Sequence, residues 1–230
     1  MIDWHTHILP GMDDGSRNEA ETLSLLEELR AQGVDTVAAT SHFYANDESV
    51  ERFLERREEA YHKLCTVQKD GLPSVMLGAE VRYYPGISHM NDLDKLVIQG
   101  SCMLLIEMSA SRWTEYTLRE LITLAGSGKW EVMLAHVERY LKFQSADVWE
   151  RLLESGVMMQ TNASFFTELG ARHKALSMLN HGRIHFIGSD CHNMTSRPPK
   201  IGKAFEIIEK KLGSSFANQF TEYSYSMLAK

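Results

Sequence analysis

Residues 1–15 read MIDWHTHILPGMDDG, and this stretch opens the pattern that decides the fold. A short apolar run over 2–5 is followed by a segment, 18–32, that carries Leu and Glu at helical spacing. Ser16 and Glu19 have the spacing of a capping box, and Gly33 stands where a glycine commonly ends a helix. The stretch therefore predicts one strand followed by one helix.

The same pattern recurs along the rest of the chain. Strands are predicted over 2–5, 36–42, 74–80, 104–107, 131–136, 158–162 and 184–190. Helices are predicted over 18–32, 49–70, 114–127, 146–155, 168–180, 201–212 and 214–228. Alternation of this kind predicts an α/β fold with a parallel sheet in a single domain, 1–230. Periodicity alone leaves two architectures open, an open doubly wound sheet and a closed barrel.

Residue types that bind metals stand at the ends of most predicted strands. They are His5, His7, His42, Glu80, Glu107, His136, Asp190 and His192. Active sites of α/β barrels lie at the carboxyl ends of the strands, so this placement favours the barrel. His5 and His7 are two residues apart, which in a strand puts both imidazoles on one side with Cα atoms about 6.5 Å apart. Asp190 and His192 repeat that spacing on the last strand.

Several carboxylates need a cation or an arginine nearby. Glu80 and Glu107 each end an apolar run, where burial of a carboxylate is costly unless a positive charge neutralises it. Arg82 is an alternative partner for Glu80, whereas metal coordination accounts for both glutamates at once. Asp13 and Asp14 lie in the turn GMDDG, where one can hydrogen-bond the local backbone while the other binds metal.

Two arginines follow the proposed metal ligands. Arg139 comes three residues after His136 in AHVERY, and Arg197 lies in the loop after the last strand. An arginine at the rim of a metal site suits phosphate. The chain has 24 Lys and Arg against 31 Asp and Glu, a net charge of −7, which disfavours nucleic acid and anionic membranes as partners. An anionic substrate therefore needs the local positive charge of metal ions and arginines.

The amino-acid composition further restricts the class of protein to which the chain can belong. Apolar residues make up 43% and charged residues 24%, the balance of a folded soluble protein. The three cysteines are an odd number without a C-x-x-C pair, which indicates neither a disulfide framework nor a zinc knuckle. The first residues lack a basic segment followed by an apolar run, and no stretch approaches the ~20 apolar residues of a membrane span. We therefore predict a cytoplasmic protein without membrane insertion.

The motifs HTHILPGMDDG, TSH, GAE, LIE, AHVERY and SDCHN with RPP together resemble the PHP (polymerase and histidinol phosphatase) superfamily over nearly the entire chain. Within it, the chain is most similar to the bacterial manganese-dependent protein-tyrosine phosphatases of capsule and exopolysaccharide gene clusters, the CpsB and YwqE type. The resemblance implies a distorted seven-stranded (β/α)7 barrel. It also implies three divalent ions, Mn²⁺ first, with Fe²⁺ or Zn²⁺ as alternatives.

The resemblance also assigns roles to residues. It implies a first ion held by His5, His7, Glu80 and Asp190, a second by Glu80, Glu107 and His136, and a third by Asp14, His42 and His192. Relatives outside the tyrosine-phosphatase branch carry His where Glu107 stands, and a carboxylate there favours harder ions such as Mn²⁺ or Fe²⁺. We expect Arg139 and Arg197 to clamp the phosphate oxygens while water activated by the ions attacks phosphorus.

The substrate implied by the resemblance is a phosphotyrosine protein, namely an autophosphorylating bacterial tyrosine kinase with a tyrosine-rich tail that controls polysaccharide export. The phenolate of tyrosine leaves with a pKa of about 10, so a site without a strong general acid favours phosphotyrosine over phosphoserine. The alternative within the same chemistry is a small-molecule phosphatase, such as a histidinol-phosphate phosphatase.

Two further alternatives have a different chemistry. Cys191 and Arg197 have the C-x5-R spacing of cysteine-dependent phosphatases, which use a thiolate nucleophile. The residues between them contain no glycine, and Asp190 would raise the pKa of the thiol, so we treat this spacing as accidental. A non-catalytic binding module is the other alternative, and the intact set of ligands argues against it.

Overall fold

Parallel strands and helices alternate along the chain in the computed structural model, which describes residues 1–229. Lys230, the last residue of the predicted domain, lies outside that range. The strands are β1 (Ile2–Thr6), β2 (Thr36–Ala39), β3 (His42–Phe43), β4 (Ser74–Leu77), β5 (Glu80–Arg82), β6 (Met103–Glu107), β7 (Glu131–Leu134), β8 (Met158–Asn162) and β9 (Phe186–Gly188). The α-helices are α1 (Glu19–Ala31), α2 (Val50–Cys65), α3 (Glu115–Gly126), α4 (Ala146–Glu154), α5 (Ser164–Thr167), α6 (Arg172–Asn180), α7 (Ile201–Leu212) and α8 (Ser214–Ser226). The predicted α/β class is confirmed.

Two predicted strands are each broken into two short strands. The predicted strand 36–42 forms β2 and β3, and the predicted strand 74–80 forms β4 and β5. The strands pair in parallel in the orders β1-β2-β4 and β3-β5-β6-β7-β8-β9. Backbone hydrogen bonds continue through the breaks, since the Gly78 amide donates to the Ala39 carbonyl and the Glu80 amide to the Ser41 carbonyl, both at 3.0 Å. The breaks therefore redirect the strands without separating them.

The first and last strands lie side by side. Thr6 forms a parallel bridge with Cys191, and the His7 amide donates to the Cys191 carbonyl at 3.0 Å. The Asp190 amide donates to the His5 carbonyl at 2.8 Å. A side chain at Gly188 would place its Cβ 2.5 Å from the His5 Cβ, so only glycine allows this approach. These contacts bring the ends of β1 and β9 together.

The strands carry apolar side chains on both faces, as expected for parallel strands covered by helices. One buried cluster includes Trp4 and Phe186, whose ring centroids are 4.9 Å apart, together with Met133 from β7. Helix α8 packs beside this cluster, where the Trp4 indole donates to the Ser224 hydroxyl at 2.6 Å. A second, larger cluster fills the space between the strands and the helices. The residues at the carboxyl ends of the strands therefore rest on packed cores.

The helices differ from the prediction mainly in three places. Helix α2 ends at Cys65, although its predicted end is residue 70. Asn18, and not Ser16, caps α1, because its side chain accepts from the Glu21 amide at 3.0 Å. Ser16 instead contacts the Thr22 hydroxyl at 2.8 Å. The predicted helix 168–180 begins only at Arg172 and is preceded by the short α5. Within residues 1–229, no helix is both long enough and apolar enough to cross a bilayer.

Candidate metal centre

All nine predicted metal ligands lie at the same end of the strands. His5 is the second-to-last residue of β1, and His7 follows that strand. His42 and Glu80 begin β3 and β5, three residues beyond the ends of β2 and β4. The others are Glu107 at the end of β6, His136 just after β7, Asp190 and His192 after β9, and Asp14 in the loop before α1. The structure therefore brings together residues from six segments of the chain.

Glu80 occupies the centre of this cluster and is buried. Its Oε1 lies 2.8 Å from the His136 Nε2, and its Oε2 lies 3.0 Å from the His42 Nδ1. The same Oε2 lies 3.3 Å from the His5 Nε2 and 3.4 Å from the His7 Nε2. His42 and Glu80 are direct partners in the pairing of β3 with β5. One carboxylate thus faces four imidazoles, the arrangement that a ligand shared between two ions requires.

His5, His7 and Asp190 form the first group with the spacing of a metal site, since one atom from each lies within 4.8 Å of the others. The Asp190 Oδ1 is 3.4 Å from the His7 Nε2 and 3.8 Å from the His5 Nε2. With the nearby Glu80, these are the four residues that the resemblance assigned to the first ion.

The second group joins residues that follow β1 and β9 with one residue of β3 and one of the loop before α1. Asp14 Oδ1 lies 3.4 Å from the His42 Nε2 and 3.2 Å from the His192 Nε2, and His7 completes the group. The neighbouring Asp13 points elsewhere, since its Oδ2 is 2.8 Å from the His7 Nδ1 and accepts from the His42 amide at 3.0 Å. Asp14 is therefore placed to bind an ion, while Asp13 orients His7.

The third group contains His42, Glu80 and Glu107. His136 also reaches it, with its Nε2 3.8 Å from the Glu107 Oε1. Arg82, considered above as a partner for Glu80, instead pairs with Glu107 at 2.9 Å. That alternative is wrong, because Arg82 and Glu107 are direct partners in the pairing of β5 with β6.

The donor atoms fit divalent cations. His5 Nε2 and His7 Nε2 are 3.1 Å apart, and two ring nitrogens at this distance need a proton or a cation between them. Three buried atoms, Glu80 Oε2, His42 Nδ1 and His192 Nε2, lie close to other ligand atoms but form no hydrogen bond of suitable geometry with any of the described residues. Buried polar atoms are rarely left without a partner. Imidazole and carboxylate ligands together suit ions such as Mn²⁺, Fe²⁺ and Zn²⁺.

The pKa values support ionised carboxylates in the cluster. Burial raises the pKa of Asp190, but the charge of His5 and the contact with His7 outweigh burial and hold that pKa well below its usual value. The pKa of Glu80 is likewise held well below its usual value, because His5 and His136 outweigh burial. Burial, with the charges of His7 and Arg197, lowers the pKa of His192 to about 4. Burial lowers the pKa values of His5 and His7, but Glu80 and Asp190 beside His5 and Asp13 beside His7 outweigh burial and raise both. Unprotonated imidazoles and ionised carboxylates are the forms that bind metal, so a cation that binds there must displace a proton from each of these two rings.

Two of the proposed ligands have unusual backbone conformations. His136 and Asp190 have φ angles of 33° and 52°, in the left-handed region that residues other than glycine rarely adopt. Each such residue costs on the order of 1–3 kcal/mol and persists where the surrounding structure fixes it, commonly at functional sites. Each residue comes two positions after the end of its strand, so the backbone turns the side chains into the cluster.

Arg139 and Arg197 both contact Asp190 at the rim of the cluster. Arg139 pairs with the Asp190 Oδ2, and the Arg197 Nη2 lies 2.8 Å from the Asp190 Oδ1. The Arg197 Nη1 also lies 3.7 Å from the Asp14 Oδ2. A cavity of 210 Å³ opens beside both arginines and is also lined by Lys200. These guanidinium groups can therefore reach an anion that enters beside the cluster.

Cys191 is not available as a nucleophile. Its side chain is fully buried, and burial raises the pKa of the thiol to about 12. A nucleophilic cysteine requires a thiolate, which forms when the pKa is lowered. The C-x5-R spacing with Arg197 is therefore accidental.

Three further polar residues contact the cluster and were not singled out from the sequence. The Tyr140 hydroxyl lies 2.9 Å from the His136 Nδ1, on the side of the ring away from Glu80. Gln160 and Asn162 reach ligands from β8. Their signals were present, since Tyr140 follows His136 by four residues and the amides of Gln160 and Asn162 are two residues apart at the end of a strand, but neither pattern identifies a partner.

The fold and the cluster together define an α/β protein that gathers ligands for divalent cations at the carboxyl ends of its strands. The chain belongs to the CpsB/CapC family of capsular polysaccharide synthesis, whose sequence model matches residues 1–228. The predicted resemblance to the CpsB and YwqE type is thereby confirmed.

Characterised relatives agree with this family. The tyrosine-protein phosphatase CpsB of Streptococcus agalactiae serotype V is 30% identical, over 99% of this chain and 98% of that protein. The tyrosine-protein phosphatase YwqE of Bacillus subtilis is also 30% identical, over 99% and 91%. A crystal structure from work on YwqE of Bacillus subtilis and CpsB of Streptococcus pneumoniae, described there as metal-dependent tyrosine phosphatases, superposes with a TM-score of 0.84 at 26% identity, covering 99% of this chain and 94% of that one.

Proposed function

We propose that this chain is a metal-dependent protein-tyrosine phosphatase. The observation that carries the proposal is the cluster around Glu80, where imidazoles and carboxylates converge beside Arg139 and Arg197. Full-length relatives named tyrosine-protein phosphatases support this function over histidinol-phosphate hydrolysis. The intact cluster also argues against a non-catalytic module.

We further infer that the site holds three divalent ions, Mn²⁺ first, with Fe²⁺ or Zn²⁺ as alternatives. The three spatial groups of ligands support this number, and the carboxylates of Glu80 and Glu107 favour the harder ions. The ligand sets are those implied by the resemblance, with His42 also near Glu80 and His7 also near His192. We also infer that the two sheets form one distorted seven-stranded barrel, supported by the contact of β1 with the segment after β9.

Each group of residues has a separate task in the reaction. When bound, the ions lower the pKa of water and neutralise charge on the phosphate. Arg139 and Arg197 donate hydrogen bonds to the non-bridging phosphate oxygens, and this stabilises the charge that develops in the transition state. Asp13 holds the His7 ring by its Nδ1, so that Nε2 faces the ions. The Cys191 thiol takes no part.

The physiological substrate that we propose is an autophosphorylating bacterial tyrosine kinase with a tyrosine-rich tail. Membership of the family of capsular polysaccharide synthesis supports a role in capsule or exopolysaccharide production. We also propose a cytoplasmic location, because the free thiols of Cys65 and Cys191 suit a reducing compartment.

A comparison of substrates tests the proposed activity. We expect the Mn²⁺-loaded protein to hydrolyse a phosphotyrosine peptide with a higher kcat/KM than a phosphoserine peptide of the same sequence or histidinol phosphate. The phenolate is the better leaving group, with a pKa of about 10. Phosphate release measured under identical conditions decides the point. Preference for histidinol phosphate would contradict the proposal of a protein substrate. No phosphate release from any of the three substrates would contradict the proposed phosphatase activity.

A second prediction separates metal chemistry from thiolate chemistry. We expect Cys191→Ser to retain nearly all activity on the phosphotyrosine peptide, because the buried thiol has no access to substrate. Removal of metal with EDTA is expected to abolish activity, and Mn²⁺ to restore it. Activity that survives EDTA but is lost in Cys191→Ser would contradict the metal centre and reinstate the thiolate.

A further inference from the structure

Strand β8 supplies none of the proposed metal ligands, yet its carboxyl end is polar and buried. Gln160 is fully buried and Asn162 is 6% exposed. The two residues are separated by one position, so their side chains lie on the same face of the strand. Buried amides of this kind need hydrogen-bond partners. Their partners are residues of the metal centre, on β1 and just after β7 and β9.

Gln160 contacts two ligands with the same oxygen. Its Oε1 accepts from the His136 backbone amide at 2.7 Å and lies 3.3 Å from the His5 Nδ1. Its Nε2 donates to the Asn162 Oδ1 at 3.2 Å. The Asn162 Nδ2 then donates to the Asp190 Oδ2 at 2.8 Å. The two amides therefore connect three proposed ligands from three different strands.

The direction of every bond in this chain follows from one backbone group. The His136 amide can only donate, so the Gln160 atom that faces it must be the oxygen. The Gln160 nitrogen is then the donor to Asn162, and the Asn162 nitrogen is in turn the donor to Asp190. The His5 Nδ1 faces the same Gln160 oxygen, so this ring nitrogen carries a proton. The His5 Nε2 is thereby left for the cation.

We propose that Gln160 and Asn162 are positioning residues that fix the ring nitrogen of His5 presented to the metal and hold His136 and Asp190 in place around it. The His136 and Asp190 backbones lie in the left-handed region. The His136 amide donates to Gln160, and Asn162 donates to the Asp190 carboxylate. The proposal rests on the metal centre of the proposed function and not on its substrate.

Gly188 allows the amide to reach His5. It is the direct partner of Asn162 in the pairing of β8 with β9, and a Cβ at this position would lie 2.9 Å from the Gln160 Nε2. The same Cβ would lie 2.5 Å from the His5 Cβ. A glycine between β1 and β8 therefore leaves the space in which Gln160 meets His5.

Nitrogen NMR of the histidine rings tests the first part of the proposal without any assay of activity. In protein loaded with Zn²⁺, which is diamagnetic, we expect His5 to show a proton on Nδ1 that exchanges slowly with water. This protection should disappear in Gln160→Met, which has a similar shape but no acceptor. It should persist in Gln160→Glu, because a carboxylate also accepts from Nδ1. A proton on the His5 Nε2 in the wild-type protein would overturn the proposal, whether or not the variants fold.

Metal affinity tests the second part. We expect Gln160→Met to weaken Zn²⁺ binding roughly 10–100-fold, the usual effect of removing a partner of a metal ligand. Thr161→Val is the matched control, since Thr161 is equally buried on the same strand and its hydroxyl has no hydrogen-bond partner among residues 1–229. Equal Zn²⁺ affinity in the two variants would contradict the proposal. Failure of the proposed function would instead appear as absent hydrolysis by wild-type protein that binds Zn²⁺ normally.

Discussion

Replacing Glu80 with glutamine is expected to lower kcat/KM on a phosphotyrosine peptide roughly a hundred- to a thousandfold. The Glu80 carboxylate lies within 3.4 Å of His5, His7, His42 and His136, so four proposed ligands share its charge. Removing one partner from a buried charged network costs about 3–5 kcal/mol. A loss of about 3–4 kcal/mol of transition-state stabilisation corresponds to this change in rate. Steady-state kinetics and metal analysis of the purified variant measure the effect.

The matched control for Glu80→Gln is Glu120→Gln in α3. Glu120 is also a buried carboxylate, but it accepts from the Tyr83 hydroxyl at 2.7 Å and the Gly86 amide at 2.9 Å, outside the cluster. An amide there leaves one donor facing another, so we expect a loss of about 1–3 kcal/mol in the free energy of unfolding. Metal content and kcat/KM should stay unchanged. An equal kcat/KM for both variants would contradict the central role of Glu80 in the site.

Gly15→Ala is expected to disrupt both the stability of the fold and the metal centre. A Cβ at position 15 would lie 2.1 Å from the His7 carbonyl oxygen and 2.5 Å from the His7 Cβ, so the backbone that carries His7 must move. Forced overpacking of this kind costs about 1–3 kcal/mol or more. We expect a fall of that size in the free energy of unfolding by urea, with weaker binding of Mn²⁺.

Gly126→Ala provides the control for that substitution. Gly126 is the last residue of α3, and a Cβ there meets no atom within 4 Å. Alanine is the better helix former, so stability should rise by up to about 1 kcal/mol while metal binding is unchanged. If Gly15→Ala behaves like Gly126→Ala, the close contact between the loop and His7 has no energetic importance.

The alternation of strands and helices was predictable from the sequence because each element has its own period. The breaks in two strands were not predictable, because they depend on contacts between distant residues. The Thr6 amide donates to the Thr40 side-chain oxygen at 3.2 Å, and the register of β1 against β2 shifts between Asp3 and Thr6. A side chain that takes the place of a backbone acceptor leaves no mark on hydrophobic periodicity.

The convergence of the proposed ligands was predictable because parallel strands bring their carboxyl ends to one edge. Their detailed partners were not, since these depend on strand register. Arg82 was considered for Glu80, but register places it opposite Glu107. Asp13 and Asp14 are adjacent in sequence, and only the loop conformation separates their roles. Gln160 looked like an ordinary strand residue, because its partners are a histidine ring and a backbone amide elsewhere in the chain.

The bridge between Thr6 and Cys191 has a consequence for how the protein is made. During synthesis His5 and His7 leave the ribosome early, but Asp190 and His192 emerge only after most of the polypeptide. The contacts that complete the centre therefore have very high sequence separation, which slows folding. A chain truncated before β9 lacks Asp190 of the first proposed ligand set and His192 of the third. We therefore expect such a chain to bind divalent cations weakly, and added cations not to rescue its folding.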